Sequence, residues 1–218
     1  MNTLFKYMFV SAAILVAFAL AGTMPVAILH DATAEKIAAN LQAARLRSIN
    51  EVIDANLYDN DILQEPITVF DKTLLPGNIP ATIYVARRQS EVVAAIFETV
   101  APDGYSGSIR MLVGVGINGN LTGVRILEHR ETPGLGDTID QYHSDYLEVF
   151  PGKSLQNPLA NRWAVKKDGG DFDQLTGATI TPRAVINAIK RCLVYYNAHK
   201  SELGIPNREQ ADLAYGNQ

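Results

Sequence analysis

The sequence DQLTGAT at residues 173–179 decides the fold, because it runs from a loop almost directly into the start of a predicted helix. Thr181 suits the N-cap position of this helix, and Pro182 suits its first position. Apolar residues then recur at helical spacing, namely Val185, Ile189, Cys192, Leu193 and Tyr196. The segment therefore predicts a helix over 182–200 that is entered through a hydroxyl-rich loop.

Thr179 lies just before this predicted helix start, where unpaired N–H groups and the helix dipole favour an anion. Gly177 and Ala178 carry so little side chain that the backbone can approach a ligand closely. Together these features suit a phosphate group. The plainer alternative is that Thr176, Thr179 and Thr181 only cap the helix.

Residues 173–179 resemble the D-x-L-[S/T]-G-A-T signature of proteins that carry FMN covalently, through a phosphoester to the last threonine. Three further segments resemble the RnfG proteins of the Rnf electron-transport complexes, in the same order and at similar distances. They are APDGYSG at 101–107, HRETPGLGD at 129–137 and WAVKKDGGDFD at 163–173. The ETPGLG element also occurs in the related FMN carrier of the Na⁺-translocating NADH:quinone reductase, whereas the other two segments favour Rnf.

The resemblance implies that Thr179 is the covalent FMN acceptor and that Thr176, Gly177 and Ala178 complete its loop. It also implies a separate flavin transferase, which uses FAD and Mg²⁺ to form the bond. Asp173 would position the loop or the metal of the transferase, or it is simply an exposed turn residue. The implied partners are the other membrane subunits of an Rnf complex, in which electron flow between ferredoxin and NAD drives ion translocation.

Two segments are predicted to contact the isoalloxazine ring of the flavin. An aromatic side chain offers a stacking surface, glycines admit the ring to the backbone, and peptide N–H groups can bond its heteroatoms. The predicted contacts are Tyr105, Ser106, Glu131, Thr132, Gly134, Leu135 and Gly136. The alternative is that Tyr105 is a core residue and that 132–137 is an ordinary turn. Lys166 and Lys167 either neutralise the cofactor or form a solvated basic pair.

The N-terminal segment Tyr7–Leu29 contains no charged residue and exceeds the roughly 20 residues that a helix needs to cross a bilayer. A cleaved signal peptide is the alternative, but its apolar region is shorter, at about 7–15 residues. Lys6 precedes the segment, and Asp31 and Glu35 follow it. The positive-inside rule therefore predicts a single-pass protein of a bacterial inner membrane, with residues 1–6 in the cytoplasm and the main domain in the periplasm.

The rest of the chain predicts one α+β domain behind this helix. A helical stalk and connector are predicted at 30–80, and they include an amphipathic helix over 32–55. A mixed α/β extracytoplasmic FMN-binding domain follows at 81–200, and a loose tail at 201–218. Strands are predicted at 82–86, 91–100, 109–117, 121–128 and near 162–166, and a short helix within 140–150. Asn118 and Gly119 mark a hairpin turn, because both residues tolerate positive φ.

Composition excludes several classes of function. The net charge is −4 and no basic cluster occurs, which argues against nucleic-acid binding. The single cysteine, Cys192, lies on the apolar stripe of the last helix, and Trp163 is likewise predicted to be a core residue. No Cys/His cluster has the spacing of a zinc or iron–sulfur site. No G-x-G-x-x-G turn indicates a dinucleotide-binding unit.

Two kinds of function fit this pattern. The first is a membrane-bound electron carrier in which FMN relays electrons inside a larger complex, with no complete turnover by this chain alone. Within that class, the FMN carrier of the Na⁺-translocating quinone reductase is the rival to the Rnf type. The second is a non-redox assembly protein that captures an anion at the helix start.

Overall fold

The computed structural model describes residues 2–77 and 79–205, and its first element is one long helix, α1, over Asn2–Asn50. The helices predicted at 7–29 and 32–55 form one continuous helix, which ends at Asn50 and not at residue 55. The helix continues through His30 and Asp31, where the Thr33 hydroxyl donates to the Leu29 carbonyl at 2.8 Å, and it also continues through Pro25. The chain divides after Arg45 into two compact units. The first unit exposes its apolar side chains, and its helix is long and apolar enough to cross a membrane.

The second unit is built on a five-stranded antiparallel meander in which the strands pair in chain order. The strands are β1 (Ile67–Val69), β2 (Ala81–Arg88), β3 (Glu91–Ala101), β4 (Ile109–Gly116) and β5 (Leu121–Glu128). Strands β2 to β5 match the prediction. The prediction missed β1, because a three-residue edge strand is too short to show an alternating pattern.

In the β4–β5 hairpin turn, only one of the two residues predicted to tolerate positive φ adopts it. In the β4–β5 turn only Gly119 has positive φ, at 81°, while the Asn118 side chain accepts from the Asn120 N–H at 3.0 Å. Asn118 therefore stabilises the turn through its side chain and not through a left-handed backbone. The β2–β3 turn, by contrast, places Gln89 and Ser90 at φ of 50° and 71° without any glycine.

The second long helix, α2 (Ile180–Ala198), packs on β3 and β4 and covers one face of the sheet. Cys192 is fully buried in this core, as predicted. The opposite face is covered by Ile49 at the end of α1 and by Val52, Ile53 and Ile62, which follow it. Since both faces are covered, the central strands are apolar almost throughout. The α+β class is confirmed.

The predicted strand near 162–166 is wrong, and two 3₁₀ turns, Ala160–Arg162 and Lys166–Asp168, lie there instead. The chain reverses at Gly169, with φ of 83°, so Lys166 N–H donates to the Phe172 carbonyl at 2.7 Å. The segment thus pairs with its own continuation and not with the sheet. Trp163 is 2% exposed, as predicted for a core residue. The short helix predicted within 140–150 is the 3₁₀ turn Tyr146–Val149.

The first residues of the predicted tail belong to the core, which corrects the boundary at 201. Leu203 and Ile205 are each 2% exposed. Gly204 has a φ of 71°, and Ile205 N–H donates to the Lys200 carbonyl at 2.8 Å, so the chain folds back after α2. The remainder of the predicted tail, 206–218, lies outside the described residues.

Candidate functional site

One cavity of ≈ 310 Å³ brings together three segments that are far apart in sequence. Its lining residues are Tyr105, Glu131, Thr132, Leu135, Gly136, Gly177, Ala178, Thr179, Ile180 and Thr181. Most of the residues predicted to bind FMN are in this set. Ile180 and Thr181 were not predicted as site residues, because the sequence indicated only a cap or a helix position for them.

The cavity lies at the start of α2, which begins earlier than predicted. The first helical residue is Ile180, and Thr179 occupies the N-cap position with φ −101° and ψ −27°. The assignment of Thr181 to the N-cap and Pro182 to the first position is therefore wrong. Among the described residues, no hydrogen bond engages the Thr179 hydroxyl, and its side chain makes no capping bond. Since the first N–H groups of a helix lack partners within it, the cavity combines a free hydroxyl with a helix N-terminus.

The loop before Thr179 is a tight turn that needs its glycine. Ala178 N–H donates to the Leu175 carbonyl at 3.1 Å, and Gly177 adopts a φ of 78°. A Cβ atom on Gly177 would lie 3.0 Å from Leu135 Cδ2, so the turn packs directly on the 131–136 loop. Thr176 is exposed in this turn and does not line the cavity. Of the two candidate acceptor threonines, Thr179 therefore lines the cavity and Thr176 does not.

Glu131 is a buried carboxylate in the cavity lining, with an exposed fraction of 5%. Its Oε1 accepts from the Ser106 N–H at 3.0 Å, and its Oε2 accepts from the Thr181 hydroxyl at 2.5 Å. The Thr181 hydroxyl therefore bonds to the Glu131 side chain and does not cap the helix. Hydrogen bonds to a charged acceptor are stronger than those between neutral groups. Ser106 contributes its backbone to this link and is itself outside the cavity lining.

The cavity has an exposed apolar rim. Tyr105 is 68% exposed, which rules out the alternative that it is a core residue. Leu135 and Ile180 are 43% and 45% exposed beside it. An apolar rim next to a helix N-terminus suits a ligand that combines a planar aromatic ring with a phosphate. The cavity volume lies at the lower end of the range for small-molecule sites.

Two ion pairs flank the acceptor loop outside the cavity. Lys166 Nζ lies 2.6 Å from Asp173 Oδ1, and both side chains are exposed. Arg183 pairs with Asp168, and this hydrogen bond lowers the pKa of the Asp168 carboxyl. Lys166 is thus solvent-exposed and paired with a carboxylate, which agrees with the second of its two predicted roles, a solvated basic residue. Asp173 and Gly134 do not line the cavity.

Comparison with known proteins covers both units. Residues 104–194 match the family model of the FMN-binding domain, and residues 1–52 match that of the RnfG N-terminal region. A Shewanella loihica protein, named as the G subunit of an ion-translocating oxidoreductase complex, is 44% identical over 193 residues, which cover 88% of this chain and 91% of the relative. Proteins of the same name from Pseudomonas aeruginosa and Yersinia pestis are 45% and 46% identical, over 87% and 82% of this chain and 88% and 85% of their own lengths.

Proposed function

This chain belongs to the RnfG family of the ion-translocating oxidoreductase (Rnf) complexes, and on that premise we propose that it carries FMN as a phosphoester of Thr179. The flavin then relays electrons between other members of the complex. The name that these relatives share favours the Rnf type over the FMN carrier of the Na⁺-translocating quinone reductase.

The observation that carries the proposal is the position of the Thr179 hydroxyl. It lines the cavity, has no hydrogen-bond partner among the described residues, and lies at the N-terminus of α2. A phosphate esterified there would accept hydrogen bonds from the first N–H groups of the helix and gain from the helix dipole. The Gly177 turn leaves space for that phosphate close to the backbone.

The remaining lining residues suit the ring of the flavin. Bound FMN would supply reversible electron transfer at its isoalloxazine ring. Tyr105, Leu135 and Ile180 offer apolar surface for that ring, while Thr132 and Gly136 bring polar backbone to its edge. Because Tyr105 is exposed, the ring would stay accessible to a partner protein, as an electron relay requires.

The proposal includes a membrane location. α1 anchors the chain in the bacterial inner membrane with residues 1–6 in the cytoplasm, and the FMN-binding unit lies in the periplasm. A covalent bond would keep the flavin in place in a compartment where free FMN is scarce. The partners are the lipid bilayer, the other membrane proteins of the complex and, during maturation, a flavin transferase.

The experiment is co-expression of the full chain with a flavin transferase, followed by intact-mass analysis and in-gel flavin fluorescence after denaturation. We expect wild type and Thr176→Val to carry one FMN and Thr179→Val to carry none. Thr176→Val is the matched control, since Thr176 lies in the same turn but outside the cavity. A fluorescent Thr179→Val band would contradict the assignment, and an unmodified wild type would favour the assembly role.

A further inference from the structure

Both oxygens of the Glu131 carboxylate accept a hydrogen bond from the protein itself. One oxygen accepts from the Ser106 N–H at 3.0 Å and the other from the Thr181 hydroxyl at 2.5 Å. The side chain therefore ties the loop after β3 to the first turn of α2.

Two glycines lie directly against this carboxylate. A Cβ atom on Gly104 would lie 2.9 Å from Glu131 Oε1, and one on Gly136 would lie 2.7 Å from Oε2. The same Cβ on Gly136 would also lie 2.9 Å from Thr181 Oγ1. A side chain at Gly136 would therefore crowd the Glu131–Thr181 hydrogen bond.

The main chain of Glu131 is fixed as well. Its N–H donates to His129 Nδ1 at 3.2 Å, and His129 Nε2 lies 3.7 Å from Asp140 Oδ2. Side chain and backbone are therefore held from three directions: the Ser106 loop, the α2 start and the His129 side chain. Such support from surrounding residues is what keeps a functional group in a defined geometry.

From these contacts we infer that Glu131 is a positioning residue of the flavin site and does not bond the flavin through its carboxylate. It holds Thr181, which lies two positions after Thr179 in the same first turn of α2. Holding this turn presents the Thr179 hydroxyl to the cavity. The inference rests on the proposed attachment of FMN to Thr179.

The test uses full-length apoprotein, a purified flavin transferase, FAD and Mg²⁺, and it follows the rate of flavin attachment by intact mass. The flavin absorbance spectrum and midpoint potential of the product are then measured. The variants are Glu131→Gln, Thr181→Val, their double variant, and Thr181→Ser, which keeps the hydroxyl. Glu148→Gln is the matched control, because Glu148 is exposed and outside the cavity.

We expect Glu131→Gln and Thr181→Val each to slow attachment several-fold and to shift the spectrum and the potential in the same direction. The double variant should be no worse than the more affected single variant, since Thr181→Val removes and Glu131→Gln weakens the same hydrogen bond. Thr181→Ser and Glu148→Gln should match wild type. Gly136→Ala should behave like Thr181→Val, because its Cβ would enter the Glu131–Thr181 hydrogen bond without altering either residue.

Two results would overturn the inference. Attachment rate, spectrum and potential that stay at wild-type values in Glu131→Gln and Thr181→Val would leave Glu131 without a positioning role, while the Thr179 assignment stands. Independent, multiplying effects in the double variant would show that Glu131 acts on the flavin directly. An unmodified wild type would instead reject the proposed function. Should Glu131→Gln fail to fold, Thr181→Val and Gly136→Ala decide by the same readouts.

Discussion

The main chain of Val52 lies so close to Gly123 of β5 that no side chain fits between them. A Cβ atom on Gly123 would be 2.8 Å from the Val52 carbonyl oxygen and 2.9 Å from its Cα. Gly114, the partner of Gly123 in β4, is crowded by Val52 Cγ1, which would lie 2.5 Å from its Cβ. Val52, which follows α1, therefore packs directly against this cross-strand pair of glycines.

Gly123→Ala should consequently destabilise the second unit. The added methyl would have to displace backbone, and overpacking of this kind costs about 1–3 kcal/mol. Urea unfolding of the full chain in detergent, followed by tryptophan fluorescence, measures the loss. Gly116→Ala is the control, since its Cβ would lie 3.1 Å from the Asn118 side chain, which has to shift by only a few tenths of an ångström, and not against backbone. Equal midpoints for the two variants would contradict the role of the glycine pair.

A second prediction concerns alkaline pH. Burial raises the pKa of the Cys192 thiol to about 12, from an ordinary value of 9.0, and that of the Tyr196 hydroxyl to about 12, from 10.0. Between the ordinary pKa of each group and its raised pKa of about 12, the group is deprotonated in the unfolded chain but still protonated in the native protein. Stability should therefore be unaffected by these groups below about pH 8 and fall as the pH rises from about 9 to 12, by up to ~1.4 kcal/mol per pH unit for each group.

Unfolding free energies measured across this range test the prediction. Cys192→Ala should lower stability at neutral pH through the lost packing, yet flatten the decline just above pH 9, because the thiol has the lower ordinary pKa of the two groups and titrates first in the unfolded chain. A decline of the same steepness in Cys192→Ala would show that the thiol does not contribute.

The sequence predicted β2 to β5 and the body of α2, because local apolar periodicity determines these elements. It missed the start of α2, because the partner of the Thr181 hydroxyl, Glu131, is 50 positions away and no local pattern points to it. It misassigned the 162–166 segment because Gly169 turns the chain back onto itself. It also divided α1 at the end of the apolar run, because hydropathy changes there although the helix continues to Asn50.

A third prediction concerns topology. If α1 is an uncleaved anchor, protein purified from membranes should retain its N-terminal residues. Protease added to the periplasmic side of intact spheroplasts should digest the second unit. N-terminal sequencing and intact mass report the first result, and immunoblotting reports the second, with a cytoplasmic marker as control. A soluble mature chain that begins beyond residue 22 would show that the segment is a signal peptide.

The fourth prediction concerns the loop at 131–136. Gly134 adopts a φ of 75°, which a β-branched residue rarely reaches, while open space surrounds its Cβ position. Gly134→Val should therefore distort the loop through the backbone and alter the cavity wall that Leu135 and Gly136 provide. We expect covalent FMN to be retained, with a changed absorbance spectrum. Wild-type spectra in Gly134→Val would show that the loop tolerates the strain without moving its cavity residues.

The last prediction is that Tyr105 adjusts the properties of the flavin without attaching it. Its ring is 68% exposed at the cavity, whereas the acceptor hydroxyl belongs to the start of α2. An aromatic contact is worth about 0.5–1.5 kcal/mol, so its removal would shift a one-electron potential by up to about 20–60 mV, the upper value applying when the contact is made with one redox state only. Tyr105→Ala should thus keep its covalent FMN but change its midpoint potential and increase quenching of its fluorescence by solvent. Tyr142→Ala is the matched control, because Tyr142 is 74% exposed but outside the cavity. If the two variants have the same potential and quenching, Tyr105 is partner surface and not a ring contact, and the assignment of Thr179 is unaffected.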